Sequence, residues 1–109
     1  MKTDLNVVIL EGRVARTPDL LYTKSGNALC KFDLVSGEVF KEYDGTEKII
    51  TNYVTINLWG KPAESLSKFL KKGKAIRVTG SLKQNTWNDK NEVRHDDVYV
   101  NATNIDFLS

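Results

Sequence analysis

Tyr53, Thr55, Asn57 and Trp59 occupy alternate positions of one segment, Asn52 to Gly60. Val54, Ile56 and Leu58 fill the positions between them. That period of two belongs to a half-buried strand, with one apolar face and one face carrying large aromatic rings spaced by small polar groups. Rings on a wettable face are costly to leave bare, and the chemistry they offer is stacking. The bases of a single-stranded nucleic acid suit such a face. Each has a flat π surface, and base–aromatic stacking is worth about 1–3 kcal/mol per base whatever the base. The other reading is that Trp59 packs beneath a loop or a second sheet, and this strand alone leaves both open.

Two more aromatics stand in polar surroundings. Phe40 lies in an excursion from Val39 to Lys48 around Asp44-Gly45, a strong hairpin-turn signal. Trp87 opens a polar hairpin tip, Trp87-Asn88-Asp89-Lys90-Asn91. A ring at a polar tip has little core to join, although Phe40 can fold back onto its own sheet. Tyr43 is a weaker candidate of the same kind. Lys41, Lys48, Arg77, Lys83, Lys90 and Arg94 accompany the rings. Basic groups beside stacking platforms are what a phosphate backbone needs, yet each alone reads as an ordinary surface charge.

Catalysis finds no signature. The single His95 lies beside Asp96 and Asp97 with no nucleophile pattern, and reads as a surface strand residue. No metal-ligand spacing and no phosphate-cradling glycine loop occur, so neither a metal nor a cofactor is expected.

The elements that must position these residues are mostly strands. Leu5 to Val14 reads as the first, with Val8, Leu10 and Val14 on one face and Leu5, Val7 and Ile9 on the other. Apolar residues on both faces require cover on both, which makes Leu5, Val7 and Ile9 candidates for a subunit interface. Thr17-Pro18-Asp19 breaks the chain, and Lys24-Ser25-Gly26-Asn27 makes a turn. Ala28 to Ser36 is the second strand, with Ala28, Cys30, Phe32 and Leu34 facing one way. Ile49 to Trp59 is the third. A helix follows, with Pro62 in its first turn, a stripe of Ala63, Leu66, Phe69 and Leu70, and Gly73 at its C-terminal cap. Lys68, Lys71 and Lys72 suit its C-terminal end. Ala75 to Lys83 is the fourth strand, with Ile76, Val78 and Leu82 inward and a bend at Gly80. Arg94 to Leu108 is the fifth.

Three strands, a helix and two strands are the order of an OB-fold, a five-stranded Greek-key barrel with one α-helix between the third and fourth strands. Such barrels bind oligonucleotides or oligosaccharides on a strand face and its adjoining loops. The 109 residues, 40% apolar and 28% charged, suit a single globular domain covering the whole chain. A formal net charge of +2 says little about nucleic acid. Cys30 can form no disulfide within the chain and reads as a small core residue. No apolar run approaches the roughly 18 residues of a membrane span. Met1-Lys2-Thr3-Asp4 leads directly into a strand pattern without a signal peptide, so a cytoplasmic protein is the expectation.

Several runs together resemble the bacterial single-stranded DNA-binding (SSB) family: Asn6 to Val14, Pro18 to Gly26, Leu58-Trp59-Gly60-Lys61-Pro62-Ala63-Glu64, Leu70 to Gly73, Val78 to Leu82, and Thr86 to Asp89. None is specific alone, and together they span nearly the whole chain. The resemblance implies sequence-independent binding of single-stranded DNA in replication, recombination and repair, with bases stacked on Phe40, Tyr53, Trp59 and Trp87. Phe40 and Tyr53 stand where the family commonly has tryptophan, and Trp59 where it has phenylalanine. It also implies a homotetramer, a dimer of dimers, with first strands paired across an interface. Family members usually continue into a flexible tail with an acidic, aromatic tip that recruits replication and repair enzymes. Here the last residues, Asn104 to Ser109, read as the end of the barrel, so such partners are expected only if a tail has been removed. Two other readings stay open: a tailless, dimeric primosomal-type relative, and an OB-fold that binds RNA or an oligosaccharide. A purely structural oligomerisation module is a third.

Overall fold

A computed structural model describes residues 3–108. The elements are β1 (Val8–Val14), β2 (Leu20–Tyr22), β3 (Ala28–Lys41), β4 (Glu47–Trp59), α1 (Lys61–Leu66), β5 (Ala75–Asn88) and β6 (Arg94–Phe107). The strands form one sheet in the order β1-β5-β6-β4-β3-β2, and a further pairing of β1 with β3 closes it. Neighbours run antiparallel except β4 and β6. β2 is short and shares the edge of β3 that β1 also uses: Leu20 pairs with Cys30, and Val14 with Leu34. With β2 set aside, the ring has five strands and α1 lies between the third and fourth. This is the expected OB-fold barrel.

Alternation explains the core. Ala28, Cys30, Phe32 and Leu34 of β3 point inward and meet Ile56 and Leu58 of β4, Ile76 and Val78 of β5, and Val100 of β6. Cys30 is fully buried, and burial pushes its thiol pKa upward. Ala63 of α1 is also fully buried and packs into the same cluster.

Only half of each long strand belongs to the barrel. Beyond Ser36 of β3 and before Val54 of β4 every residue is exposed, and so is nearly all of β5 and β6 between Leu82 and Val98. The four strands therefore run on as two antiparallel ribbons, β3/β4 and β5/β6. The Cα radius of gyration is 16.3 Å, against about 13 Å for a compact chain of this length. The arms account for the excess.

Several expected boundaries are corrected. The first strand begins at Val8, not Leu5, because the Asn6 side chain takes over the ladder. Its Oδ1 accepts from the Leu82 N–H and its Nδ2 donates to the Leu82 carbonyl, both at 2.8 Å. The helix ends at Leu66 rather than near Gly73. The residues after it are tied to the end of β1 and the segment that follows it instead: Lys72 N–H donates to Thr17 Oγ1 at 2.9 Å, and Gly73 N–H to the Val14 carbonyl at 2.7 Å. Gly73 holds a φ of 85° in that turn and caps no helix. Phe69, expected inward, is exposed, with its ring edge-on to Phe107 at 6.4 Å. Leu82 is also exposed, because β1 last pairs with β5 at Gly80 and covers nothing beyond it.

Candidate nucleic-acid interface

Tyr53 and Trp59 lie on the outer face of β4, 70% and 39% exposed. Their cross-strand partners on β3 are Val35 and Leu29, and between them Thr55 faces Asp33 and Asn57 faces Lys31. Thr55 Oγ1 donates to Asp33 Oδ1 at 3.0 Å. On its other side β4 runs parallel to β6, with Asn57 beside Asn101. Two strands further on, Lys83 and Asn85 of β5 face Tyr99 and Asp97 of β6. An open groove of about 630 Å³ joins these rows, lined by Lys31, Thr55, Asn57, Asn85, Asp97 and Tyr99 among others.

Trp87 adjoins this groove through its lining residue Asp97. It is 45% exposed, and its indole Nε1–H donates to Asp97 Oδ2 at 3.0 Å. Its cross-strand partner is His95, whose ring stacks on the indole with centroids 4.4 Å apart and planes 18° from parallel. His95 Nε2 in turn donates to Asp89 Oδ2 at 2.8 Å. Asp89 also accepts the Asn91 and Val93 N–H groups at 2.8 and 2.9 Å, which folds the hairpin tip. These bonds, the His95 contact first, hold the Asp89 carboxyl below its ordinary pKa.

Phe40 does not join this face. It pairs with Lys48, and by the alternation of the strands both fall on the side of the β3/β4 ribbon opposite Tyr53. Tyr43 is fully exposed at the tip of that ribbon, where Asp44 Oδ1 accepts the Thr46 N–H at 2.9 Å.

The basic residues divide into committed and free. Arg77 is not near the groove. It sits on the β1/β5 wall, where Nε donates to Glu11 Oε2 at 2.8 Å. Its expected place beside the rings is therefore corrected: its other cross-strand neighbour is Asp106, and carboxylates flank it on both sides. Lys48 pairs with Glu42 at 2.7 Å and Arg94 with Asp96 at 3.2 Å. Lys41, Lys83 and Lys90 have no ion-pair partner among the described residues, and all three are exposed. Lys31, exposed in the groove, is equally free.

Lys31 and Tyr99, which line the groove, and His95, which stacks on Trp87, are candidates that sequence reasoning missed. The first was legible, since it alternates with Cys30 and Phe32 on the outward face of its strand. His95 required the hairpin register. A tip at residues 87–91 conceals its pairing with Trp87, whereas the observed tip, between Asn88 and Arg94, puts the two rings opposite each other.

Leu5, Val7 and Ile9 are each more than half exposed. β1 pairs with β5 from Val8 to Arg13 but with β3 only at Arg13 and Val14. Much of its other edge is open beside these apolar side chains.

The chain resembles known proteins throughout. It is 37% identical over 105 residues to a single-stranded DNA-binding protein of Treponema pallidum, covering 96% of this chain and 58% of that protein. It is 40% identical over 89 residues to one of Borreliella burgdorferi, covering 81% of this chain and again 58% of the relative. The chain thus spans less than two thirds of the length of these relatives. Among solved structures, a deletion mutant of the single-stranded DNA binding protein from Thermus aquaticus superposes with a TM-score of 0.86 at 33% identity, over 96% of this chain and 51% of that one. A Plasmodium falciparum SSB in complex with ssDNA shares the fold, with a TM-score of 0.90 at 24% identity over 100% of this chain and 99% of that one. The Single-strand binding protein family profile matches residues 5–108, barrel and both arms included, and the chain belongs to that family.

Proposed function

We propose that this chain binds single-stranded DNA with little sequence preference and shields it during replication, recombination and repair. The observation that carries the reading is the outer face of β4, where Tyr53 and Trp59 stand exposed in one row that alternates with the groove residues Thr55 and Asn57, while Trp87 is bonded to the groove residue Asp97. Tyr53 and Trp59 lie six positions apart on the strand, about 20 Å, so each ring takes a different base of one strand. Stacking is indifferent to base identity. Discrimination needs long polar groups aimed at base edges, and both Arg77 and Arg94 are held by carboxylates instead. Phosphates run along the rim, where Lys31, Lys41, Lys83 and Lys90 are free to neutralise them. Phe40 contributes from the far side of its ribbon.

Duplex DNA fits poorly, because its bases are already stacked on one another. The test is a titration with oligo-dT, oligo-U and duplex DNA, following tryptophan fluorescence. Oligo-dT is expected to lower the emission of Trp59 and Trp87 and to lose affinity with salt, by about −0.7 in log–log slope for each phosphate neutralised. Unchanged fluorescence with no mobility shift at low salt would refute the reading. Preference for oligo-U would reassign the ligand to RNA.

The same reading includes self-association into a homotetramer through the open edge of β1, and a cytoplasmic, nucleoid-associated location. Replication and repair enzymes enter only for a chain that carries a recruiting tail.

A further inference from the structure

We propose that His95 is a positioning residue for Trp87: it backs one face of the indole, so that a single base stacks on the other. The inference rests on the reading of Trp87 as a base platform and adds what makes the platform rigid. A tryptophan on an exposed two-stranded ribbon is free to change rotamer, and a base that stacks on it must then freeze it. Here three contacts freeze it beforehand. The imidazole covers one π face at 4.4 Å with planes 18° apart. Asp97 Oδ2 accepts the indole N–H at 3.0 Å, which fixes rotation within the ring plane. Asp89 fixes the imidazole itself through Nε2 at 2.8 Å, and Asp89 is fixed by the tip amides of Asn91 and Val93. The fold of the hairpin tip is thereby transmitted through a carboxylate and an imidazole to the orientation of the indole. The face of Trp87 away from His95 remains for the ligand, consistent with the ring's half-exposure. Removing the backing restores the ordering cost of one large side chain, which corresponds to about a twofold to tenfold loss of affinity.

Oligo-dT titrations of the parent, His95→Ala, His95→Phe, Trp87→Ala and the Trp87→Ala/His95→Ala double variant test this, with thermal unfolding measured beside them. His95→Ala is expected to weaken binding within that range, and His95→Phe, which keeps a flat ring, to restore most of it. In the double variant the loss of His95 should add nothing to the loss of Trp87, since the imidazole acts only through the indole. With Trp59→Phe as background, Trp87 is the sole tryptophan. His95→Ala should then make its emission in the free protein more accessible to acrylamide, and His95→Phe should not. An additional loss in the double variant would show that His95 contacts DNA or holds the ribbon by itself, and would overturn the inference. Binding by His95→Ala equal to the parent, while Trp87→Ala is weak, would overturn it alone. Parent-like binding by Trp87→Ala would overturn both it and the platform it rests on.

Discussion

Trp59 and Trp87 share a side chain and a face, yet their removal should have different consequences. Trp59 stands at the barrel end of β4, with Leu29 as its cross-strand neighbour. Trp87 stands on a solvated ribbon. Trp87→Ala should weaken oligo-dT binding about 5- to 150-fold, the loss of one stacked base at 1–3 kcal/mol, with little change in unfolding temperature. Trp59→Ala should weaken binding comparably and also lose on the order of 1 kcal/mol of stability. Phe40→Ala should do less than either, because its ring lies off the common face; titrations beside melting curves order the three. Asp89 supplies a pH effect. Its carboxyl is depressed by His95 first and the Val93 amide next, so the folded tip binds its proton less readily than the unfolded chain does. The contribution is complete above the unfolded carboxylate value near pH 3.9 and disappears as pH falls through the lower folded value. The Asn91 and Val93 amides should therefore lose protection, measured against their intrinsic exchange rates, as pH falls below about 4, and Asp89→Asn should reproduce the loosening at neutral pH.

At the scale of elements, the long strands change function along their length. The same alternation that seals the barrel up to Leu34 or from Val54 continues into the ribbons, where there is nothing left to cover. A register irregularity between Thr79 and Gly80 lies near the point where β5 leaves the wall. A Cβ on Gly80 would collide with the Asn101 carbonyl oxygen and the Ala102 backbone of β6. Backbone cannot swing aside as a flexible side chain can. Gly80→Ala should therefore cost about 1–3 kcal/mol or more, read from denaturant midpoints, although it adds only a methyl group. The bend at this glycine was legible in the sequence. The helix end was not: Phe69 and Leu70 continue a good helical stripe, but the backbone after Leu66 gains bonds to Thr17 and Val14 that a continued helix would forfeit.

For the whole molecule, the apolar surface at the start of β1 and just before it lacks cover within the subunit. Leu5, Val7 and Ile9 are exposed beside a strand edge with unpaired backbone groups, which is a template for another copy of the chain. Val7→Asp with Ile9→Asp should leave each subunit folded, because neither side chain is buried within it. At a contact between copies the same change buries unpaired charge and should dissociate the assembly. Light scattering at micromolar concentration is expected to give a tetramer for the parent and a smaller species for the variant. A monomeric parent would refute the assembly.

Local chemistry was enough to determine which residues alternate, which rings stand among polar neighbours, and that three strands, a helix and two strands form a closed barrel. Side-chain period and turn residues are short-range properties, so Tyr53, Trp59 and the inward row from Ala28 to Leu34 could be read directly. Partnership across distance could not be read in that way. That Arg77 belongs to Glu11, that Phe40 turns to the far side of its ribbon, and that His95 lies on Trp87 all depend on register. A shift of one residue in a hairpin moves every side chain to the other face. Register is set by how the strands close on one another in space, and for that reason the tertiary structure alone decided which aromatic rings and charges share a surface.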